Sequence, residues 1–245
     1  MLTVLSLNIN QYVDRHGAWE QRSRAIVDVL RQARPDIVAL QAVQKDAGRD
    51  GGVDQAMQLA RLSGEYPHVV FQPAETRPAA LETGVALLSR LPIERVEPLK
   101  LSLRPGLEDT QPRVALLARF ARPGGVLNLI NIHFSWVEAQ LQDNLAEALP
   151  FVRQIEGPGL LIGDFNAPAG QGRLYLLEEA GWVDAWTRLC GAQDGFTYPS
   201  SSPNLRIDYA WANPQLALAL RRIQVVGDGP PELSDHLGLL LSLDI

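Results

Sequence analysis

VLSLNIN (residues 4–10) and DIVALQ (36–41), set beside VLNLINIHF (126–134) and GLLIGDFN (159–166), decide the fold. Each pair is an apolar run with polar residues at its end, an amphipathic stretch, and a second run that ends the same way. In the first pair, Trp19 to Ala33 places Ala25, Ile26, Val29 and Leu30 on one face, with Arg22, Arg24, Asp28 and Arg31 elsewhere. That is helical spacing, and Pro35-Asp36 stops it. A helix from Glu138 to Arg153 joins the second pair. The echo of strand, helix and strand predicts an α/β fold with two mixed β-sheets packed face to face and helices outside, a four-layer sandwich. With no linker-like tract, residues 1–245 read as a single domain.

Further elements fill the layers. A helix is expected from Asp54 to Leu62, with strands at Val69–Phe71, Val85–Ser89 and Val114–Phe120. Gly124-Gly125 between Val114–Phe120 and Val126–Phe134 suggests a hairpin. Late strands are expected at Ile207–Trp211, near Ile223–Val226 and at Leu237–Leu243.

Composition excludes several classes. The chain is 46% hydrophobic with a single cysteine, Cys190, so it holds no internal disulfide framework. No apolar run approaches bilayer length, and no basic region precedes the first apolar stretch. The expectation is a cytoplasmic monomer with no membrane association. The net charge of −6 argues against a protein that coats DNA, which would carry a basic face. The arginines between residues 77 and 122 are interleaved with glutamates and Asp109, as on a mixed solvated surface.

Ligands of open α/β sheets bind beyond the carboxyl ends of strands, so Asn8, Gln41, His133, Asp164 and Asn166 are candidates for one cleft. GDFN (163–166) puts a carboxylate and a carboxamide at i and i+2, which strand alternation would point to one side; alone, it is equally a turn. SDH (234–236) sets an acid beside an imidazole, and RIDY (206–209) places Asp208 in an apolar strand, either bridged to Arg206 or orienting a histidine. Trp136, Trp182, Trp186 and Trp211 read as core or cleft wall. No Walker loop, CxxC, HExxH or GxSxG is present.

The order of these motifs is more specific than any one of them. A first strand ending in Asn, LQ at the next, GVALLSRLPI, NIHFSW, GDFN, RIDY and SDH together resemble the endonuclease/exonuclease/phosphatase superfamily, its small bacterial members in particular. The resemblance implies in-line attack of water on a phosphoester, with Mg²⁺ or Mn²⁺ stabilising the developing charge. By the same resemblance Asp164 activates the water and Asn166 holds the constellation. Asn8 and Asp235 bind metal, and His236 donates to a phosphate oxygen with Asp208 fixing its tautomer. His133 is similar to a second phosphate-facing histidine, and Arg113 supplies a further positive contact. DNA is the first substrate class it implies, with a small or lipid phosphoester as the alternative.

One position departs from the family pattern. Where LQE carries the principal metal ligand, this chain has Leu40-Gln41-Ala42. Loss of even an outer-shell partner costs roughly 10–100-fold in metal affinity or activity. Asp46 and Glu82 are the nearest substitutes, without support from spacing. Either a glutamate has been replaced deliberately to give an inactive form, or natural loss has left a weakened enzyme or a phosphate-binding pseudoenzyme. The intact remainder favours the first, because unselected sites erode together.

Overall fold

The computed structural model describes residues 1–77 and 81–245. The side chain of Arg77, counted above in the mixed-charge segment, lies outside the described residues. Two six-stranded mixed sheets face each other. The first contains β1 (Leu2–Asn8), β2 (Ile37–Asp46), β3 (His68–Arg77), β4 (Leu81–Ser89), β11 (Leu220–Val226) and β12 (Gly238–Leu243), in the order β11-β12-β1-β2-β4-β3. The second contains β5 (Ile93–Leu101), β6 (Arg113–Arg122), β7 (Gly125–His133), β8 (Gly159–Asp164), β9 (Val183–Asp184) and β10 (Asp208–Ala212), ordered β5-β6-β7-β8-β10-β9. The internal echo therefore extends through whole sheets. Each runs through two antiparallel pairings, one parallel pairing and two more antiparallel pairings.

Residue alternation sorts the strands into layers. Val4, Ile37 and Ala39 join Leu116, Leu129, Leu160 and Ile162 in the core between the sheets. Leu5, Leu7, Val38 and Leu40 face outward and pack with Trp19, Ile26 and Leu30 of α1 (Trp19–Ala33) and Leu59 of α2 (Gln55–Ser63). Ile130, Ile132 and Leu161 meet Leu141, Leu145 and Ala148 of α3 (Glu138–Arg153) on the other side. The expected hairpin joins β6 and β7, with Arg122 opposite Gly125. No helix among the described residues is long and apolar enough to cross a membrane.

Polar residues take over the inter-sheet core at the end where the parallel strands finish. Gln41, fully buried, donates to Asn131 Oδ1 at 2.7 Å and Ser6 Oγ at 3.1 Å. Asn131 in turn donates to the carbonyls of Leu40 (3.0 Å) and Ala86 (2.9 Å). Gln41 was a cleft candidate; the structure makes it a tie between the two sheets, because its partners lie in the inter-sheet layer.

Several elements differ from expectation. Strand β5 was not anticipated, since Pro98 and the charges of IERVEPLKL hide a strand at a sheet edge, where proline is tolerated. The short α4 (Tyr175–Glu179), α5 (Ala185–Cys190) and α6 (Pro214–Ala217) carry too few residues for a periodic signal. Arg22, expected on the polar side of its helix, is fully buried. It donates to the carbonyls of Ile9 (2.7 Å), Gln11 (2.7 Å), Gly17 (3.0 Å) and Leu233 (3.3 Å). It ties α1 to the chain just past β1 and just before Ser234. Arg22→Met leaves these acceptors without a donor, at a cost of about 1–3 kcal/mol for each one that stays dry. A drop in unfolding free energy of about 3 kcal/mol or more is expected in urea titrations; a loss below about 1 kcal/mol would show that water replaces the guanidinium.

Candidate active site

The parallel pairs deliver their polar ends in register. Asn8, at the end of β1, lies opposite Gln41 midway along β2, and His133 lies opposite Asp164 at the end of β7 and β8. Gly163 makes the second pairing feasible. Its φ is +142° and a Cβ there would sit 2.1 Å from the carbonyl oxygen of Ile132, so the β7–β8 approach requires glycine. The antiparallel partner β10 sets Asp208 directly opposite Asp164.

Asp164, 1% exposed, is the hub. Its Oδ2 accepts from Asn8 Nδ2 at 2.8 Å, and lies 3.4 Å from His133 Nε2 and 3.6 Å from His236 Nε2. Its Oδ1 accepts from the Asn166 backbone N–H at 2.8 Å. This last bond closes a turn, with Asn166 in the left-handed region at φ 51°. The proximity of Asp164 and Asn166 thus comes from the turn and not from strand alternation. Asn166 Nδ2 reaches the Phe134 carbonyl at 2.9 Å, tying the ends of β7 and β8 together. Burial pushes the Asp164 carboxyl up to about 6, assisted by Asp208 and opposed by His236 and the hydrogen bonds from Asn8 and Asn166.

His236 is held at one ring nitrogen, and the other faces Asp164 at 3.6 Å. Nδ1 lies 2.9 Å from Asp208 Oδ2, which also accepts from Thr197 Oγ1 at 2.6 Å. Burial disfavours the imidazolium, but Asp208, Asp164 and Asp235 outweigh it and push the ring up to about 10. Of the two readings of RIDY, Asp208 takes the histidine, while Arg206 bridges to Asp184 at 2.7 Å. His133 goes the other way. Burial, then Arg113 and His236, hold it well below the usual histidine range, so it is neutral at pH 7.

Asp235 accepts from Ser234 Oγ at 3.0 Å. The segment around it is held by residues 197–200, where Ser200 N–H donates to the Asp235 carbonyl and Leu237 N–H to the Thr197 carbonyl, each at 2.8 Å. Arg113, at the start of β6, donates from Nη2 to Asp109 Oδ2 at 2.8 Å, while its Nε is buried without a hydrogen-bond partner. Asp109 also accepts from Ser135 Oγ at 2.6 Å and the Gln111 N–H at 3.0 Å. Burial raises the Asp109 carboxyl, but Arg113 and these donors outweigh it and hold it below the ordinary value. Asp109 thus binds fewer protons folded than unfolded. Its contribution is complete above the unfolded carboxylate value of about 4 and is lost as pH falls through the folded one. Asp109→Asn is expected to flatten the acid limb of thermal midpoint against pH; an unchanged limb argues against the pair.

Asn8, Ala42, Arg113, His133, Asp164, Asn166, Asp235 and His236 line one cleft of about 440 Å³. Asp208 stands behind His236, buried at 3% exposure. Ala42 brings a methyl group where a ligand oxygen was expected. Neither Asp46 nor Glu82 is among the described residues that line the cleft; Glu82 pairs with Lys45 and Asp46 accepts from Gly48 N–H. Ligand atoms of Asp164, Asp208 and His236 lie within 4.8 Å of one another. Asp208 and His236 are, however, hydrogen-bonded to each other. Asn8 and Asp235 add hard oxygens to the cleft lining. They suit a cation that keeps several waters and takes one or two carboxylates with substrate phosphate. Thr197, Asp109 and Ser135 escaped the sequence reading because a buried hydroxyl or carboxylate that supports another side chain has no local pattern. Trp182, Trp186 and Trp211 are buried as expected, whereas Trp136 stands 53% exposed in the cleft.

The sequence profile of the Endonuclease/Exonuclease/phosphatase family matches residues 5–236. No curated protein matches the chain. Among solved structures, a family protein from Leptotrichia buccalis is 16% identical over 100% of both chains, with a TM-score of 0.82. The Bacteroides thetaiotaomicron mannosyl-6-phosphatase is 18% identical over 100% of both, with a TM-score of 0.79. D. rerio TDP2 complexed with a single-strand DNA product is 16% identical over 100% of this chain and 99% of its own, with a TM-score of 0.73. At these identities the structural likeness speaks for the fold, and the profile for the family. This chain, which brings Asp164 and His236 to one cleft with Asp208 behind the imidazole, belongs to the endonuclease/exonuclease/phosphatase family of phosphoester hydrolases.

Proposed function

We propose that the chain is built to cleave a phosphodiester by in-line attack of water, in the cytoplasm, with DNA the first substrate class. The observation that carries this is the pairing of a buried carboxylate raised to about 6 with a cationic imidazole, Asp164 and His236, at one cleft. A carboxylate near 6 is ionised at neutral pH and still basic enough to take a proton from water. His236 Nε2 donates to a phosphate oxygen, while Asp208 and Thr197 hold the ring from behind. Neutral His133 and the Arg113 guanidinium complete the phosphate pocket, and Asn8 and Asn166 orient the Asp164 carboxylate. Asn8 and Asp235 would hold Mg²⁺ or Mn²⁺, which when bound neutralises charge developing on the phosphate.

The smaller-ester reading has its own support. Arg113 is the one lysine or arginine among the described residues lining the cleft, enough for one phosphate but sparse for a strand of them. The mannosyl-6-phosphatase of this fold acts on a small ester, as its name states. Both readings are tested by assaying this chain and its Ala42→Glu form with Mn²⁺. The substrates are plasmid DNA, an abasic oligonucleotide, and bis- and mono-nitrophenyl phosphate. Cleavage of DNA supports the first reading, and cleavage of nitrophenyl esters alone the second. If the Glu form cleaves nothing and binds Mn²⁺ no better, the hydrolase reading fails.

A further inference from the structure

Beside its phosphate-facing groups the cleft has a wall of different chemistry. Trp136 is 53% exposed and Leu205 38% exposed, and both line the cleft together with Pro168 and Ile207. A large apolar surface left open inside a polar site marks a place where a ligand group is covered. The indole is not on a loose tether. Ser135, immediately before it, is fully buried, with its hydroxyl donating to Asp109 Oδ2 and accepting from the Val137 N–H at 3.1 Å. The Ser135 N–H donates to Asn144 Oδ1 at 3.2 Å. These bonds pin the turn from β7 into α3 and hold Trp136 three residues from His133.

Beyond Pro168 and Leu205 the cleft continues into a hollow of about 370 Å³. Its lining includes the uncharged Gln193, Phe196 and Asn204, one carboxylate, Asp194, and Arg206, which pairs with Asp184. The phosphate subsite thus opens onto an aromatic face carried on a pinned turn, and onto an extension with no unpaired cation among its described lining residues.

We propose that this site takes phosphoesters bearing a planar, uncharged aromatic group, and that this group stacks on Trp136. The proposal rests on the phosphoester reading above and names the substrate class within it. A nucleobase carried on its sugar and a simple aryl ester present the same chemistry. Stacking on an aromatic side chain is tolerant of the identity of the ring, so Trp136 selects for a ring and not for one base.

The test is calorimetric binding of methyl phosphate, phenyl phosphate and thymidine 5′-monophosphate to the chain, to Trp136→Ala and to Trp136→Phe. An aromatic ligand is expected to bind about 5- to 100-fold more tightly than methyl phosphate, the equivalent of one stacked base. Trp136→Ala should remove that preference and leave methyl phosphate unchanged, while Trp136→Phe should keep most of it. A nucleotide tighter than phenyl phosphate assigns the wall to a nucleoside, and the reverse order assigns it to an aryl group. Equal binding of all three ligands, or a preference that survives Trp136→Ala, overturns the stacking proposal while the phosphate site stands. Failure of all three to bind overturns both. Trp136 is exposed, so an unchanged thermal midpoint in both variants verifies that the comparison is between folded proteins.

Discussion

In the Ala42→Glu form, Asp164→Asn lowers kcat by about 10²- to 10⁴-fold, the range of a positioned general base, and moves KM by little. The substitution preserves size and much of the hydrogen bonding. It replaces an oxygen that accepts from Asn8 and faces His133 and His236 with a group unable to take a proton. The loss should therefore appear in the chemical step. A uniform rise in KM with kcat preserved would move Asp164 from base to binding group. A change below tenfold in both would take it out of the mechanism. The thermal midpoint should hold or rise, because the asparagine spares the fold a buried charge.

Ala42→Glu is expected to raise Mn²⁺ affinity and activity by at least about 10–100-fold, using as a lower bound what outer-shell losses cost in known metal sites. Residue 42 is 7% exposed, lines the cleft, and has φ of 50°. Alanine already bears the cost of this left-handed conformation, so a glutamate adds no new backbone strain. It does add a carboxylate to a cleft that already holds Asp164 and Asp235. Without metal, the Glu form should melt below the parent chain. With Mn²⁺ it should melt above it, since an ion that binds only the folded state stabilises it by mass action. Scanning calorimetry in chelator and in Mn²⁺ reads this crossing. Parallel shifts for both forms would mean that position 42 does not face the ion.

What was legible in the sequence follows from range. The helices Trp19–Ala33 and Glu138–Arg153 were read with the bounds the structure shows, because fifteen or more residues of periodic burial leave little ambiguity. The two-sheet sandwich was legible because the echoing strands carry alternating faces that need cover on both sides. Strand β5 was not, since an edge strand tolerates charge and proline. In the site, the chemistry-bearing side chains stood at strand ends or beside them, where their types are conspicuous. Asp208 could be placed from its own strand but partnered with His236 only through the family resemblance, because the choice between Arg206 and His236 is settled by a loop from elsewhere in the chain. Gln41 was misjudged for the same reason: its destination depends on Asn131, ninety residues away.

The pairing of β1 with β12 has a consequence for how the molecule is made. Leu2 sits opposite Leu243 and Ser6 opposite Leu239, so the first and the last strands of the chain are neighbours in one sheet. The second sheet draws all its strands from the middle of the sequence and can close earlier in synthesis. The first must wait for β12, and Asp235 and His236 lie within three residues ahead of that strand. Contacts of such sequence separation are slow to form. The emerging polypeptide therefore holds Asp164 and Asp208 before it acquires His236, and the cleft they share is assembled only when β12 pairs with β1.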